Sequence, residues 1–319
     1  MAAQVVSKGH RISSISALLE FIEHLPTSSD LVVRNTTGIT MVDMQSISTG
    51  LRLGEDGVWY ASDAENISYP SDGNEACFSV EDESFWFRHR NHCIISAVNS
   101  FPPPKKETIF DIGGGNGFVS LGLANAGFDV ALVEPGLVGA HNARIRGVKN
   151  VICATTSTAK FKPHSLPAIG LFDVIEHIED DIAFLRTVKE LVKEGGYLYA
   201  TVPAYSFLWS EEDVVAGHYR RYTLSSISDV LQSVGFQIEF SSYIFRFIPL
   251  PIFLLRTLPY KMGLSKRARK TRNISQDHAV KDGVSKKLFD TILRSEIRNL
   301  SKKKSMVFGG SCLIVAKSF

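Results

Sequence analysis

The sequence predicts an α/β fold, a mostly parallel sheet covered by helices on both faces, and three observations lead to it. From Lys105 onward, short apolar runs alternate with segments of helical spacing. The helical segments carry their own start and stop residues. A strand ending in an acid then runs into a loop with glycine at every second position, Asp111-Ile112-Gly113-Gly114-Gly115-Asn116-Gly117.

Taken in order, residues 1 to 30 read as helix, with Ile15, Leu18, Leu19 and Ile22 on one face before Pro26. Residues 31 to 70 read as small strands and turns, including Leu31-Val32-Val33 and Val58-Trp59-Tyr60. The aromatic run Phe85-Trp86-Phe87 leads into a helix through Ile94, Ile95 and Val98, which Pro102-Pro103-Pro104 stops. Strands follow at 108–112 and 129–133, flanking a helix at 118–126, and a further strand lies within 166–174. Asp180 or Asp181 caps a helix with Ile182, Leu185, Val188, Leu191 and Val192 on one face, ended by Gly195-Gly196. A strand at 197–202 precedes a helix capped by Thr223 and ended by Gly235, then a strand at 236–245. Residues 246–305 read as an insertion, with a helix at 286–300, before a last strand at 312–316. The chain thus divides into an N-terminal α+β extension, 1–104, and a sheet domain, 105–319.

Composition narrows the class. With 44% hydrophobic and 21% charged residues, the chain can bury a core. A net charge of +2 argues against general nucleic-acid binding. Cys77, Cys93, Cys153 and Cys312 form no CxxC pair, which argues against structural zinc or a disulfide framework and fits a reducing cytosol. No signal peptide and no run of about 20 apolar residues is seen, so the expectation is a cytoplasmic protein.

The glycine loop carries the chemistry. Glycine permits backbone dihedrals and close approaches that side chains forbid, and the helix start behind the loop offers free N–H groups to a carboxylate. Spacing separates two nucleotide classes. Gly113, Gly115 and Gly117 give G-x-G-x-G, whereas the dinucleotide fingerprint needs G-x-G-x-x-G; here Phe118 and Ser120 stand where that third glycine would be. No lysine followed by Ser or Thr closes the loop, which excludes a P-loop.

This segment resembles the first motif of the class I S-adenosylmethionine-dependent methyltransferases. Phe172-Asp173-Val174-Ile175-Glu176-His177 looks like the segment at the end of the fourth strand in their ubiquinone-pathway O-methyltransferase branch. The resemblance covers about residues 85–245 and the final strand. It implies a Rossmann-like, seven-stranded sheet and S-adenosylmethionine as cofactor. The loop residues Asp111, Gly113, Gly114, Gly115, Asn116 and Gly117 hold its methionine part, and Glu134 with Pro135 after the next strand takes the ribose. Phe172 and Asp173 line the site, and the aromatic helix with Arg88 and Arg90 folds over the cofactor as a lid, an arginine, assigned as Arg88, reaching its carboxylate. The adenine-binding acid of many relatives is missing; Cys153-Ala154-Thr155-Thr156-Ser157 stands there, leaving backbone or the Thr156 hydroxyl.

On the acceptor side His177 and His218 are the candidate general bases, since imidazole titrates near neutrality. Tyr205, Arg220, Arg221 and Tyr222 are substrate-side candidates. Some relatives place a divalent ion on an E-x-x-E-H segment plus a later histidine; here Asp173, Glu176, His177 and His218 match, which suits Mg²⁺ or Mn²⁺. The preferred reading is that Asp173 and Glu176 shape the pocket without a metal. Residues 246–272, apolar and then basic, resemble an interfacial membrane anchor, but interrupting prolines favour a pocket wall or a homodimer contact. The expectation is methyl transfer to a small molecule, through oxygen, in biosynthetic or tailoring metabolism. An RNA methyltransferase and a non-catalytic scaffold are the alternatives.

Overall fold

In the computed structural model, the described residues are 43–62, 78, 80–104, 107–263 and 284–319, with side chains of the last stretch from 290 onward. The expected helix at 1–30, the run Leu31–Val33, Cys77 and the basic stretch Lys266–Arg272 lie outside them.

Among the described residues nine strands form one sheet: β1 (Leu51–Leu53), β2 (Val58–Ala61), β3 (Ile109–Ile112), β4 (Val130–Val133), β5 (Asn150–Cys153), β6 (Leu166–Phe172), β7 (Val192–Pro203), β8 (Phe236–Ile244) and β9 (Ser311–Ser318). Their spatial order is β1-β2-β5-β4-β3-β6-β7-β9-β8. The pairs from β2 to β7 are parallel, and β9 runs antiparallel between β7 and β8. The expected count of seven is therefore corrected to nine. The two additional strands come from the N-terminal extension, whose Val58-Trp59-Tyr60 run pairs in register with Val151-Ile152-Cys153 of β5. A half-buried apolar strand is satisfied by an existing sheet edge, so it joins that sheet rather than forming a separate one.

The central strands are buried on both faces, as parallel strands under two helical layers must be: every residue of β3, β4 and β6 is buried. The helices are α1 (Phe85–Ser100), α2 (Phe118–Asn125), α3 (Leu137–Arg146), α4 (Asp181–Leu191), α5 (Glu211–Ala216), α6 (Leu224–Ser233) and α7 (Val284–Ser301). Asp180 caps α4 by accepting from Ala183 N at 2.9 Å, and Thr223 caps α6 by accepting from Ser226 N at 3.1 Å. α4 ends at Leu191 rather than at Gly195-Gly196. Val192 takes an extended conformation and pairs with Leu166, while Gly195, at φ +73°, turns within the irregular start of β7. A helical segment follows β8: Pro249–Ile252, a π-helical turn Phe253–Thr257, and Leu258–Lys261.

α1 and α7 pack side by side. Buried Glu296 of α7 accepts from Phe245 N at 2.9 Å, Arg246 N at 2.7 Å and, when its proton lies there, His89 Nε2 of α1 at 2.9 Å. Phe245 has φ +61°, so this carboxylate holds the strained residue at which the chain leaves β8. No helix among the described residues is long and apolar enough to cross a membrane.

Candidate active site

The sheet order reverses between β3 and β6, and a cavity of about 440 Å³ opens there, beyond the carboxyl ends of both strands. One end is the glycine loop. Gly113, Gly115 and Gly117 have φ of +72°, +54° and +77°, which explains glycine at alternate positions. At Gly114 the constraint is space, since a Cβ would meet the Asp111 carboxylate at 2.9 Å and Leu132 at 2.8 Å. Gly117 lies off the cavity, packed so closely on α3 that a Cβ would meet Ala143 and Val148 at 2.8 Å.

Asp111 lies on the cavity wall, almost wholly buried. Burial pushes its pKa up to about 6, against a 2.6 Å hydrogen bond from Ser120 Oγ and the charge of Arg90. Glu134 is bonded to the loop rather than open to the cavity. It accepts from Gly115 N at 2.9 Å and Gly136 N at 2.8 Å, and burial raises its pKa against those bonds. Asn116 donates to Glu81 at 3.3 Å and accepts from Asn142 at 3.0 Å, while Glu81 pairs with Arg146 at 2.7 Å.

α1 crosses the cavity with Trp86, Phe87 and Arg90 on its wall. Arg88 is exposed on the outer side of that helix; the cavity arginine is Arg90. Arg90 Nη2 donates to Phe172 O at 2.9 Å, its Nε lies 2.9 Å from Asp173 Oδ2, and its guanidinium rests 5.2 Å from the Trp86 ring centre. Asp173 also accepts from Thr201 Oγ1 at 2.9 Å. Both of its oxygens are thus engaged, and together with Phe172 it forms the floor of the site.

The opposite end is built by β6, α5 and the loop after α5. Glu176 is fully buried, and its Oε2 has no hydrogen-bond partner among the described residues. Burial, and then the charge of Asp173, push its pKa well up. Tyr219 N donates to Glu176 O at 2.8 Å, which draws the Gly217–Tyr222 loop against the turn Ile175–His177. This stacks the rings of His177 and His218 edge to face at 4.7 Å. His177 is half-buried off the cavity wall; burial, then the neighbouring His218, lower its pKa. His218 and Arg221 line the cavity. Behind them, Asp213 lies 2.9 Å from His218 Nδ1 and receives Arg221 through Nε at 2.7 Å and Nη2 at 3.0 Å. Burial works against its charge, but the bonds from His218 and Arg221 outweigh burial and hold the pKa down at about 2. An ionised Asp213 fixes the proton on Nδ1 and leaves Nε2 basic. The ligand-capable atoms of Glu176, His177 and His218 all lie within 4.8 Å of one another.

Three of the substrate-side candidates are turned elsewhere. Arg220 pairs with Asp181 at 2.9 Å and donates to Glu179 O, and Tyr222 Oη donates to Asp181 at 2.6 Å. Tyr205 stacks on Tyr243 at 4.9 Å. Pro135 and Thr156 are half-buried and off the cavity wall. Glu81 and Asp213 are the site residues least visible in sequence. For Asp213 a signal exists: it stands three residues after its capping partner Ser210 and five before His218, across the helix-ending Gly217.

Residues 86–239 match a protein-family model described as a methyltransferase domain. Among curated proteins, a ubiquinone biosynthesis O-methyltransferase of Pectobacterium carotovorum subsp. carotovorum (strain PC1) is 25% identical over 97 residues, 28% of this chain and 41% of that protein. One from Vibrio cholerae serotype O1 (strain M66-2) is 25% identical over 97 residues, 28% of this chain and 40% of that protein. The chain spans about two fifths of the length of these relatives. Among solved structures, a possible histamine N-methyltransferase of Thermotoga maritima aligns with a TM-score of 0.48 at 19% identity, covering 77% of this chain and 99% of that one.

Proposed function

We propose, from the premise that this chain carries a class I S-adenosylmethionine-dependent methyltransferase domain, that it transfers a methyl group to a hydroxyl of a small acceptor. One observation carries the reading: a single cavity joins the glycine loop to the Asp213–His218 pair.

The residues at the loop end fit the cofactor. Gly113 and Gly114 leave no room for a Cβ, against Val174 and against Leu132 with Asp111, so the loop packs down tightly beside Asp111 on the cavity wall. Glu134 holds the loop through Gly115 N and Gly136 N; the ribose contact expected of it needs its carboxylate to turn toward the cavity. Trp86 and Phe87 close the site over the reacting groups and exclude water. When bound, S-adenosylmethionine supplies a methyl carbon activated by a sulfonium leaving group. The chain then has to position the acceptor and accept its proton. An acceptor hydroxyl at this end would give its O–H proton to His218 Nε2, and Asp213 would stabilise the resulting imidazolium. Arg221 keeps Asp213 ionised and in place. The test is calorimetric titration with S-adenosylhomocysteine, with NADH as control, followed by methyl transfer to hydroxylated acceptors by His218→Ala against the unaltered chain. Absence of S-adenosylhomocysteine binding to folded protein sinks the reading.

A second reading has an observation in its favour. Glu176, with an unpartnered buried oxygen, together with His177 and His218 offers three ligand atoms to a divalent ion. Asp173, committed to Arg90 and Thr201, falls out of the set expected from sequence. Two imidazoles and one carboxylate suit Mn²⁺ better than Mg²⁺. Loss of activity in chelator, restored by Mn²⁺, selects this reading over the proton-transfer role.

A further inference from the structure

The helical segment after β8 is amphipathic in the wrong sense for a surface helix. Its inner side carries Thr257, which is buried and donates to Leu208 O at 2.9 Å, and Ile252 and Arg256, which line the cavity. Its outer side is apolar. Leu250, Leu254, Leu258 and Met262 recur every fourth residue and are 65%, 50%, 39% and 63% exposed, with Leu255 beside them at 59%. The turn Ser206–Leu208 and helix α5 pack against the π-helical turn and extend this face with exposed Phe207, Val214 and Val215. The sequence favoured a pocket wall or dimer contact here. In the structure only the inner side is wall, and an apolar patch drawn from three chain segments faces outward.

Charge identifies what covers it. From Arg246 to Arg272 the sequence has eight Lys or Arg residues and no acid, although the whole chain carries only +2; Arg246 and Lys261 are exposed, Arg256 lines the cavity, and the other five lie outside the described residues. Glu211 and Glu212 sit on the first turn of α5, the helix that carries exposed Val214 and Val215, with Glu212 on the cavity wall. A second copy of this chain brings the same cations against each other, whereas apolar side chains flanked by cations complement an anionic lipid surface. We propose that the outer face of the Pro249–Lys261 segment docks on an anionic lipid bilayer and sets the cavity mouth at its headgroup layer. The acceptor is then an amphipathic molecule resident in the membrane. It reaches the cavity past Ile252 and Arg256 without leaving the surface. The docking stands on the surface alone; the acceptor class rests on the methyl-transfer reading.

The experiment is flotation with phosphatidylcholine vesicles with and without phosphatidylglycerol, using the full chain and the double variant Leu254→Glu/Leu258→Glu. Thermal unfolding and S-adenosylhomocysteine affinity are measured for both. The expected result is binding to phosphatidylglycerol vesicles that weakens with salt, and a loss on the order of tenfold per leucine in the variant, with unfolding and S-adenosylhomocysteine affinity unchanged. The docking is overturned if the unaltered chain ignores anionic vesicles, or if the variant binds them equally well. It is also overturned if the unaltered chain is a dimer that the variant dissociates and neither floats, which assigns the patch to self-association. Vesicle binding without S-adenosylhomocysteine binding keeps the docking and removes the acceptor class.

Discussion

Asp213 Oδ1 stands 2.9 Å from His218 Nδ1 across the left-handed Gly217 that ends α5, so a fully buried carboxylate decides which imidazole nitrogen carries the proton. Asp213→Asn keeps the shape and removes the charge that fixes the tautomer. Turnover is expected to fall on the order of 10²–10⁴-fold, with S-adenosylhomocysteine affinity retained. Unchanged turnover across the pH range removes Asp213 from its positioning role.

The same carboxylate makes stability acid-sensitive. Its folded pKa of about 2 lies below the ordinary 3.8, so between these values the folded chain binds fewer protons than the unfolded one. The stability it lends is complete above the unfolded value and disappears as pH falls through about 2. Acid titration of the unfolding midpoint should show a component in this window that is absent from Asp213→Asn.

Asp111 behaves in the opposite sense. Its folded pKa of about 6 exceeds 3.8, so the folded chain holds a proton that the unfolded chain has lost, and stability declines as pH rises across that interval. Asp111→Asn should abolish the decline. The variant should be more stable than the unaltered chain near neutrality, by at most about 3 kcal/mol, while binding S-adenosylhomocysteine more weakly. Urea unfolding at the two ends of the window measures the first effect, and calorimetry the second. A variant that is both less stable and fully competent to bind contradicts the assignment.

Arg90→Lys tests how α1 is held over the cavity. A lysine cannot keep the Phe172 carbonyl, the Asp173 carboxylate and the Trp86 face together, as the planar guanidinium does. The expected loss is about 1–3 kcal/mol of stability together with weaker S-adenosylhomocysteine binding. Arg88→Lys, on the exposed side of the same helix, should change neither.

Glu296→Ala leaves the amides of Phe245 and Arg246 without their carboxylate acceptor. The buried Phe245 donor left unsatisfied costs about 1–3 kcal/mol, so unfolding should shift, with Glu296→Gln intermediate because one oxygen remains. An alanine variant as stable as the unaltered chain shows that the α7 contact is dispensable.

The sequence displayed what depends on local rules. The loop glycines at 113, 115 and 117 sit where positive φ demands them, Asp180 and Thr223 cap the helices they precede, and β4 and β6 read as continuous apolar runs because both faces are covered. What it concealed depends on approach between distant segments. Val58-Trp59-Tyr60 looked like a strand, but nothing local says that it joins the edge at β5. Arg88 and Arg90 are equivalent in composition; helix phase alone turns one outward and sets the other over Trp86. Asp213 reads as one of three acids opening α5, and becomes distinct only when Arg221 and His218 fold back onto it.

The strand that completes the sheet arrives late in the chain. β9 lies between β7 and β8, yet the chain leaves β8 at Ile244 and returns only at Ser311. Until that return, β7 and β8 have no shared partner and each presents an open backbone edge. Closure therefore carries high contact order, which predicts slow refolding set by the order of the strands, apart from anything the cavity does.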